Sequence, residues 1–155
     1  MEPKKPKGKF VAEAEIIINA TAPKVWKALT DPKEVKKYFF NTNLIVKEWK
    51  EGAPIRYRGV WEGKEYEDKG TILKYEPEQL LVTTYWSDMG GKPDKPENYN
   101  TVTYKLSPAE QGTKVTILQD NIDTEESKKH SEENWKMVLE KLKKLLEGKN
   151  VAMAH

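Results

Sequence analysis

The chain has no cysteine, which excludes disulfides, thiolate metal sites and a cysteine nucleophile. It has two histidines, His130 and His155, too few and too far apart for a histidine-rich metal site. His130 lies beside Lys128 and Lys129 on a helical stretch, where it reads as solvated. No GxSxG, phosphate-binding loop or GxGxxG pattern is present, so enzyme signatures are sparse, and no catalytic residue, metal or cofactor is assigned. One sign of charge does not dominate: 27 basic against 25 acidic residues leave a net charge of +2, with no field that implies nucleic acid or a membrane surface. Apolar runs are short of the roughly 18 residues of a membrane span, and the start lacks the apolar segment of a signal peptide. A cytoplasmic monomer is the expectation.

What is present is a chain of 155 residues, a tenth of them aromatic. That is the size and apolar content of one folded domain. We expect it to span residues 10–148, after a disordered basic arm at 1–9 and before a disordered tail at 149–155.

The stretch from Asp123 to Gly148 reads as one long amphipathic helix. Trp135, Val138, Leu139, Leu142, Leu145 and Leu146 recur at i, i+3, i+4 and i+7, which places them on one face. Asp123 or Thr124 can cap its start and Gly148 supplies a stop. Such a helix needs a broad apolar surface to lie on.

Upstream, Phe10–Asn19 alternates Ala12, Ala14, Ile16 and Ile18 against Val11, Glu13, Glu15 and Ile17, a strand with one buried face. Two short helices follow. Thr21 precedes Pro23 in the first turn of one, with Val25, Trp26 and Leu29 inward; Asp31-Pro32 restarts the other, carrying Val35, Tyr38 and Phe39 inward. From Asn43 to Leu118 the period becomes two. LIVKEW, PIRYRGVW, KEYEDKGTILKY, QLLVTTYW, NTVTYKL and TKVTILQ are six strands of an antiparallel meander, with tight hairpins at Glu62-Gly63, Glu76-Pro77 and Gln111-Gly112. The segment SDMGGKPDKPEN reads as a longer, mobile loop and a lid.

Strand parity gives the inner wall. With Arg56 and Arg58 outward, Ile55, Tyr57 and Trp61 face the helix; Val102, Tyr104 and Leu106 do the same opposite Thr101, Thr103 and Lys105. Ile117 and Gln119 continue the row, joined by Ile72 and by one of Tyr85 or Trp86, between which parity does not choose. Phe39 and Phe40 stand at the mouth with the Gly90–Pro96 loop. Trp135, Val138 and Leu139 face the wall from the helix. This aromatic set reads equally as a filled core or as the lining of a ligand pocket. Asp68 has the inward parity of Tyr66 and Ile72; a bulge or an edge position accounts for it without a buried carboxylate, whereas a buried one would be a candidate acid or base.

The order strand, two helices, six strands, long helix resembles the helix-grip fold of the START and birch-pollen-allergen-like (SRPBCC) superfamily. Within it the chain resembles the domains named for the activator of heat shock protein 90 ATPase. The likeness is carried by Ala20–Asp31, Gly70-Thr71-Ile72 before Glu76-Pro77, Leu80–Trp86, Gly112–Thr116 and Asn134-Trp135. It implies an α+β fold in which a curved antiparallel sheet of about seven strands (β-α-α-β6-α) wraps a long C-terminal helix. It also implies an internal cavity for a small apolar or aromatic molecule, which is the leading functional expectation. The alternatives it implies are a partner of a chaperone and a cyclase- or hydrolase-like enzyme. Co-chaperones of this name carry a further N-terminal domain that the length of this chain does not accommodate.

Overall fold

The computed structural model describes residues 9–39, 42–87 and 91–154, without the side chains of Trp61 and residues 148–154. Strand β1 (Phe10–Ile18) is followed by helices α1 (Ala22–Thr30) and α2 (Pro32–Tyr38). Then come β2 (Asn43–Ile45), β3 (Pro54–Trp61), β4 (Lys64–Glu76), β5 (Leu80–Ser87), β6 (Asn100–Ala109), β7 (Gly112–Ile122) and helix α3 (Glu125–Ala154). The seven strands form one antiparallel sheet in the order β1-β7-β6-β5-β4-β3-β2. This is the helix-grip arrangement.

Local chemistry explains most boundaries. Pro23 stands in the first turn of α1, where its missing N–H costs nothing. Thr21 occupies the cap position but makes no side-chain cap bond. The Asp31 carboxylate caps α2 by accepting from the Lys33 N–H, and the Thr124 hydroxyl caps α3 by accepting from the Ser127 N–H at 3.0 Å. Helix α3 runs through Gly148 to Ala154, past the expected stop; a mid-helix glycine costs only about 1 kcal/mol relative to alanine. Glu62 and Gly63 both take positive φ, 49° and 79°, as a two-residue hairpin between right-twisted strands requires. The strand expected over Leu44–Trp49 stops at Ile45. Beyond it the chain turns at Gly52 (φ 88°), whose N–H donates to Ile72 O, and Trp49 folds back to stack on Tyr75 at 5.7 Å.

The core lies between the inner sheet face and α3. Ile18, Ile55, Ile72, Ile117, Val115, Leu139 and Leu142 are essentially inaccessible there, and Val25, Trp26 and Ala28 of α1 close one end. Alternation in β1 follows the sequence: Ala12, Ala14 and Ile18 are buried while Val11 and Ile17 are exposed.

Helix α3 also covers the sheet edge, which no periodicity announces. Among the described residues β1 pairs only with β7, so its outer backbone groups need other partners. Glu132 accepts from the Glu13 N–H at 2.9 Å and Glu147 from the Asn19 N–H at 2.7 Å, while Lys143 Nζ donates to Ile17 O at 2.7 Å. Glu132 is held below the ordinary carboxylate range, first by that backbone N–H and then by Lys128. For Glu147 partial burial works upward, but the Asn19 N–H and Lys143 outweigh it and the net shift is also downward. A carboxyl depressed in the folded state stabilises it fully above the unfolded value, and that stabilisation is lost as pH falls through the folded value. Urea melts below pH 4.5, the ordinary glutamate value, should therefore show a steeper acid loss of stability in the native protein than in Glu132→Gln/Glu147→Gln. Equal slopes would mean that the two carboxylates do not hold the edge.

Candidate functional site

Strands β3 to β7 present a row of polar aromatic side chains toward α2 and α3. Tyr57 faces Asp68 across the β3–β4 ladder, and Tyr85 on β5 reaches the same carboxylate, its hydroxyl donating to Asp68 Oδ2. The phenols of Tyr57 and Tyr104 both line the inner wall and act on each other electrostatically. Gln119 on β7 accepts from Trp135 Nε1 at 2.7 Å, which fixes the indole against the sheet. Tyr38 on α2 donates to Ala28 O at 2.8 Å.

Above these groups the rings interlock. Phe39 is the hub: it stacks on Tyr57 at 6.0 Å and meets Trp135 and Tyr38 edge-on at 5.9 and 6.4 Å. Tyr57 meets Tyr85 edge-on at 6.1 Å, and Trp135 meets Tyr104 at 5.9 Å. These spacings are those of favourable aromatic pairs. Burial pushes the Tyr57 phenol up to about 12, with the Tyr104 hydroxyl working against it and the Asp68 charge adding to it. Tyr85 and Tyr104 are raised well above the ordinary value, burial again first; for Tyr85 the nearby Asp68 charge comes next. All remain neutral donors and acceptors at physiological pH.

The interior that these rings enclose is nearly full. A void of about 20 Å³ remains beneath Trp135 and Leu139, walled also by Phe39, Tyr57, Tyr104, Ile117, Val138 and Leu142. That is room for about one water, well short of the 300 Å³ or so at which small-molecule pockets begin. A larger, open groove of about 1310 Å³ lies outside, between the turns at Glu76–Leu80 and Ser107–Thr113 and the β1–α1 junction. Its lining mixes Lys24 and Lys105 with Glu76, Glu78 and Glu110, without a convergent set of buried polar groups.

Of the residues expected at the interior wall, Phe39, Tyr57, Tyr104, Ile117, Trp135, Val138 and Leu139 line the void. Tyr85 and Gln119 adjoin it through the contacts above. Ile72 and Val102 are buried on the same inner face, fully and nearly so. The choice left open between Tyr85 and Trp86 falls to Tyr85. Trp86 faces outward, where its ring stacks on Tyr99 at 6.4 Å and lies under Lys69 Nζ. Phe40 and the side chain of Trp61 lie outside the described residues. Asp68 differs from the bulge or edge expected of it: β4 is an interior strand, its register with β3 is unbroken, and the side chain is buried. Tyr38, Leu29, Val35, Leu81 and Trp49 complete the wall; the helical spacing of the first three carries that signal.

The loop expected to be a lid is tied down along residues 91–99. Asn121, in the left-handed region at φ 57°, donates to Glu97 O and Tyr99 O at 2.9 and 3.0 Å. Trp86 Nε1 donates to Lys92 O, and Lys92 and Asp94 pair with Asp123 and Lys69. Among the described residues no three carboxylate or histidine side chains are grouped to hold a metal, and no helix is long and apolar enough to cross a membrane.

Comparison with known proteins places this geometry. A protein of Cytophaga hutchinsonii with a known solution structure is 46% identical, with a TM-score of 0.81 over 94% of this chain and 99% of its own. A protein of Rhodobacter sphaeroides (23% identity, TM-score 0.70, 92% of this chain and 95% of its own) shares the fold. So does the Aha1 dimer of Colwellia psychrerythraea (20%, 0.67, 88% and 95%). No curated protein matches this chain. Residues 19–147 match the family described as Activator of Hsp90 ATPase homolog 1-like protein. With most of its length matched and its helix-grip architecture in place, the chain belongs to that family.

Proposed function

We propose that this protein binds a small apolar or aromatic molecule between the sheet and α3, in a form in which Phe39 leaves the position it holds here. The observation that carries this reading is the role of that one ring, which spans the gap between Tyr57 on the sheet and Trp135 on the helix. Phe39 is only half-buried and stands at the C-terminal cap of a seven-residue helix, where its N–H donates to Val35 O while its ring projects past the last turn. Its departure would leave walls of Tyr57, Tyr104, Trp135 and Leu139 around a space of the order that takes a benzene-sized molecule, about 150 Å³. The polar groups needed to orient such a molecule already stand on the inner face.

Titration with naphthalene, followed by tryptophan fluorescence, tests this. Saturable quenching or a spectral shift is expected for the native protein, with affinity about tenfold tighter for Phe39→Ala, where the occupant ring no longer competes. No saturable response from either protein would refute the reading.

A second reading is docking to a chaperone through the outer surface. It is favoured by the near-full interior and by the activator of Hsp90 ATPase in the family's description. Retention of Hsp90 by the immobilised protein, with no naphthalene response, would select it.

A further inference from the structure

We propose that α2 is the gate of this interior: it turns at Asp31 to carry Phe39 out of the gap, and the bond of the Tyr38 hydroxyl to Ala28 O is the latch that holds it shut. The inference rests on the ligand-binding reading above and adds what controls it. The joint between α1 and α2 is a single residue. Asp31 closes the first helix and caps the second, in extended backbone at φ −89° and ψ 119°, and its N–H donates to Lys27 O at 2.8 Å. The next bond of a continuing helix would run from residue 32 to Ala28 O, but residue 32 is proline and has no N–H. Ala28 is buried, and a buried carbonyl without its helical donor is costly. The Tyr38 hydroxyl supplies a donor at 2.8 Å, from ten residues further on and from the other helix. Burial, then the neighbouring Tyr57 and Glu34, raises the Tyr38 phenol, so it stays a protonated donor.

The other walls of the void are held more firmly. Tyr57, Leu81, Tyr104 and Ile117 belong to strands β3, β5, β6 and β7, each laddered on both sides, and α3 is fastened to β1 through Glu132, Lys143 and Glu147. Helix α2 has seven residues, too few to be stable without its contacts. It brings Val35, Tyr38 and, at its cap, Phe39 to the void. The rings of Tyr38 and Phe39 meet edge-on at 6.4 Å, so the residue that bears the latch adjoins the ring that fills the gap. Past Phe39 the chain is fixed again at the buried Thr42, whose N–H donates to Phe39 O at 2.9 Å and whose hydroxyl bonds to that of Tyr66. Helix α2 therefore turns between two held ends, and when it does, Ala28 O meets water in place of the phenol.

Tyr38→Phe removes the hydroxyl and keeps the ring. Loss of one such bond shifts the balance between closed and open forms about fivefold, so naphthalene, followed by tryptophan fluorescence, should bind Tyr38→Phe about fivefold more tightly than the native protein. In the Phe39→Ala background, where no ring blocks the gap, the same change should alter affinity less than about twofold. Thr30→Val is the control: it removes another hydroxyl bond to a carbonyl of α1, to Trp26 O at 2.8 Å, that does not reach α2, and it should leave affinity unchanged. Movement is read separately, with Tyr38 intact. Because the chain has no cysteine, spin labels attached at Lys24→Cys and Lys36→Cys, both exposed positions, report the distance between α1 and α2, and saturating naphthalene should populate a second distance. Circular dichroism checks the fold of each variant. Saturable binding with an unchanged label distance, or with equal affinity in the native protein and Tyr38→Phe, would overturn the gate and leave ligand binding standing. So would an equal gain in Thr30→Val, or a full fivefold gain in the Phe39→Ala background, because either would mean that Tyr38 does not act through release of Phe39. No saturable response from the native protein or Phe39→Ala would take both readings down together.

Discussion

Gly70→Ala should destabilise the protein by about 4 kcal/mol or more, a fall in Tm on the order of 10 °C for a domain of this size. A Cβ at Gly70 would stand 1.8 Å from the Thr84 carbonyl oxygen and 2.5 Å from the carbonyl carbon. Those are backbone atoms of β5, so no rotamer change relieves the clash. The position lies where the β4–β5 ladder is interrupted, between the pairs Lys69↔Trp86 and Ile72↔Thr83. There the Thr71 N–H donates to the Thr84 hydroxyl at 2.8 Å instead of to a backbone carbonyl. Bare backbone at Gly70 lets β5 approach β4 at this point. Gly52→Ala is the control: at φ 88° with nothing within 4 Å, it carries only the left-handed backbone cost of about 1–2 kcal/mol. Denaturant melts that rank the two variants equally would show that β5 yields easily and that the close approach is not a requirement of the fold.

Leu142→Ala should cost about 2–5 kcal/mol. Leu142 has no accessible surface and faces the same void as Val138 and Leu139. The cavity left by truncation would merge with space already present, and the penalty grows by about 24 cal/mol for each Å³ that does not collapse. Met137, on the exposed side of the same helix at 38%, should change stability by less than about 0.5 kcal/mol when cut to alanine. A urea series of the two variants gives both values. A Leu142→Ala loss below about 1 kcal/mol would mean that α3 repacks freely against the sheet, a property better suited to an adaptable ligand site than to a fixed core.

The closed interior bears directly on function. Ring pairs around Phe39 occupy the space that the family resemblance implies is a cavity, so the proposed binding requires removal of that ring. The apparent affinity of a ligand is then reduced by the fraction of molecules in which Phe39 is out. Phe39→Ala removes that penalty, which is why it is expected to raise affinity even as it weakens packing.

The sequence by itself determined the order of the elements, the buried face of α3 and the inner rows of β3, β6 and β7. Each is written in local periodicity: 3.6 for Trp135, Val138, Leu139 and Leu142, and two for Ile55 and Tyr57 or for Val102 and Tyr104. Only the tertiary structure decided that Tyr85 and not Trp86 points inward, because that depends on the pairing of Leu81 with Tyr104 and of Thr83 with Val102 across strands. It alone placed Asp68 inside, since a charged residue at an inward parity is also compatible with a bulge until the β3–β4 register is known. The edge bonds of Glu132 and Glu147 and the tethering of residues 91–99 by Asn121 join positions from 22 to 128 residues apart, and no local pattern encodes such contacts. The void was beyond reach for the same reason. Its volume is a small difference between the span of a bent sheet and the summed bulk of side chains from seven elements, and strand register, twist and the resting place of Phe39 set that difference together.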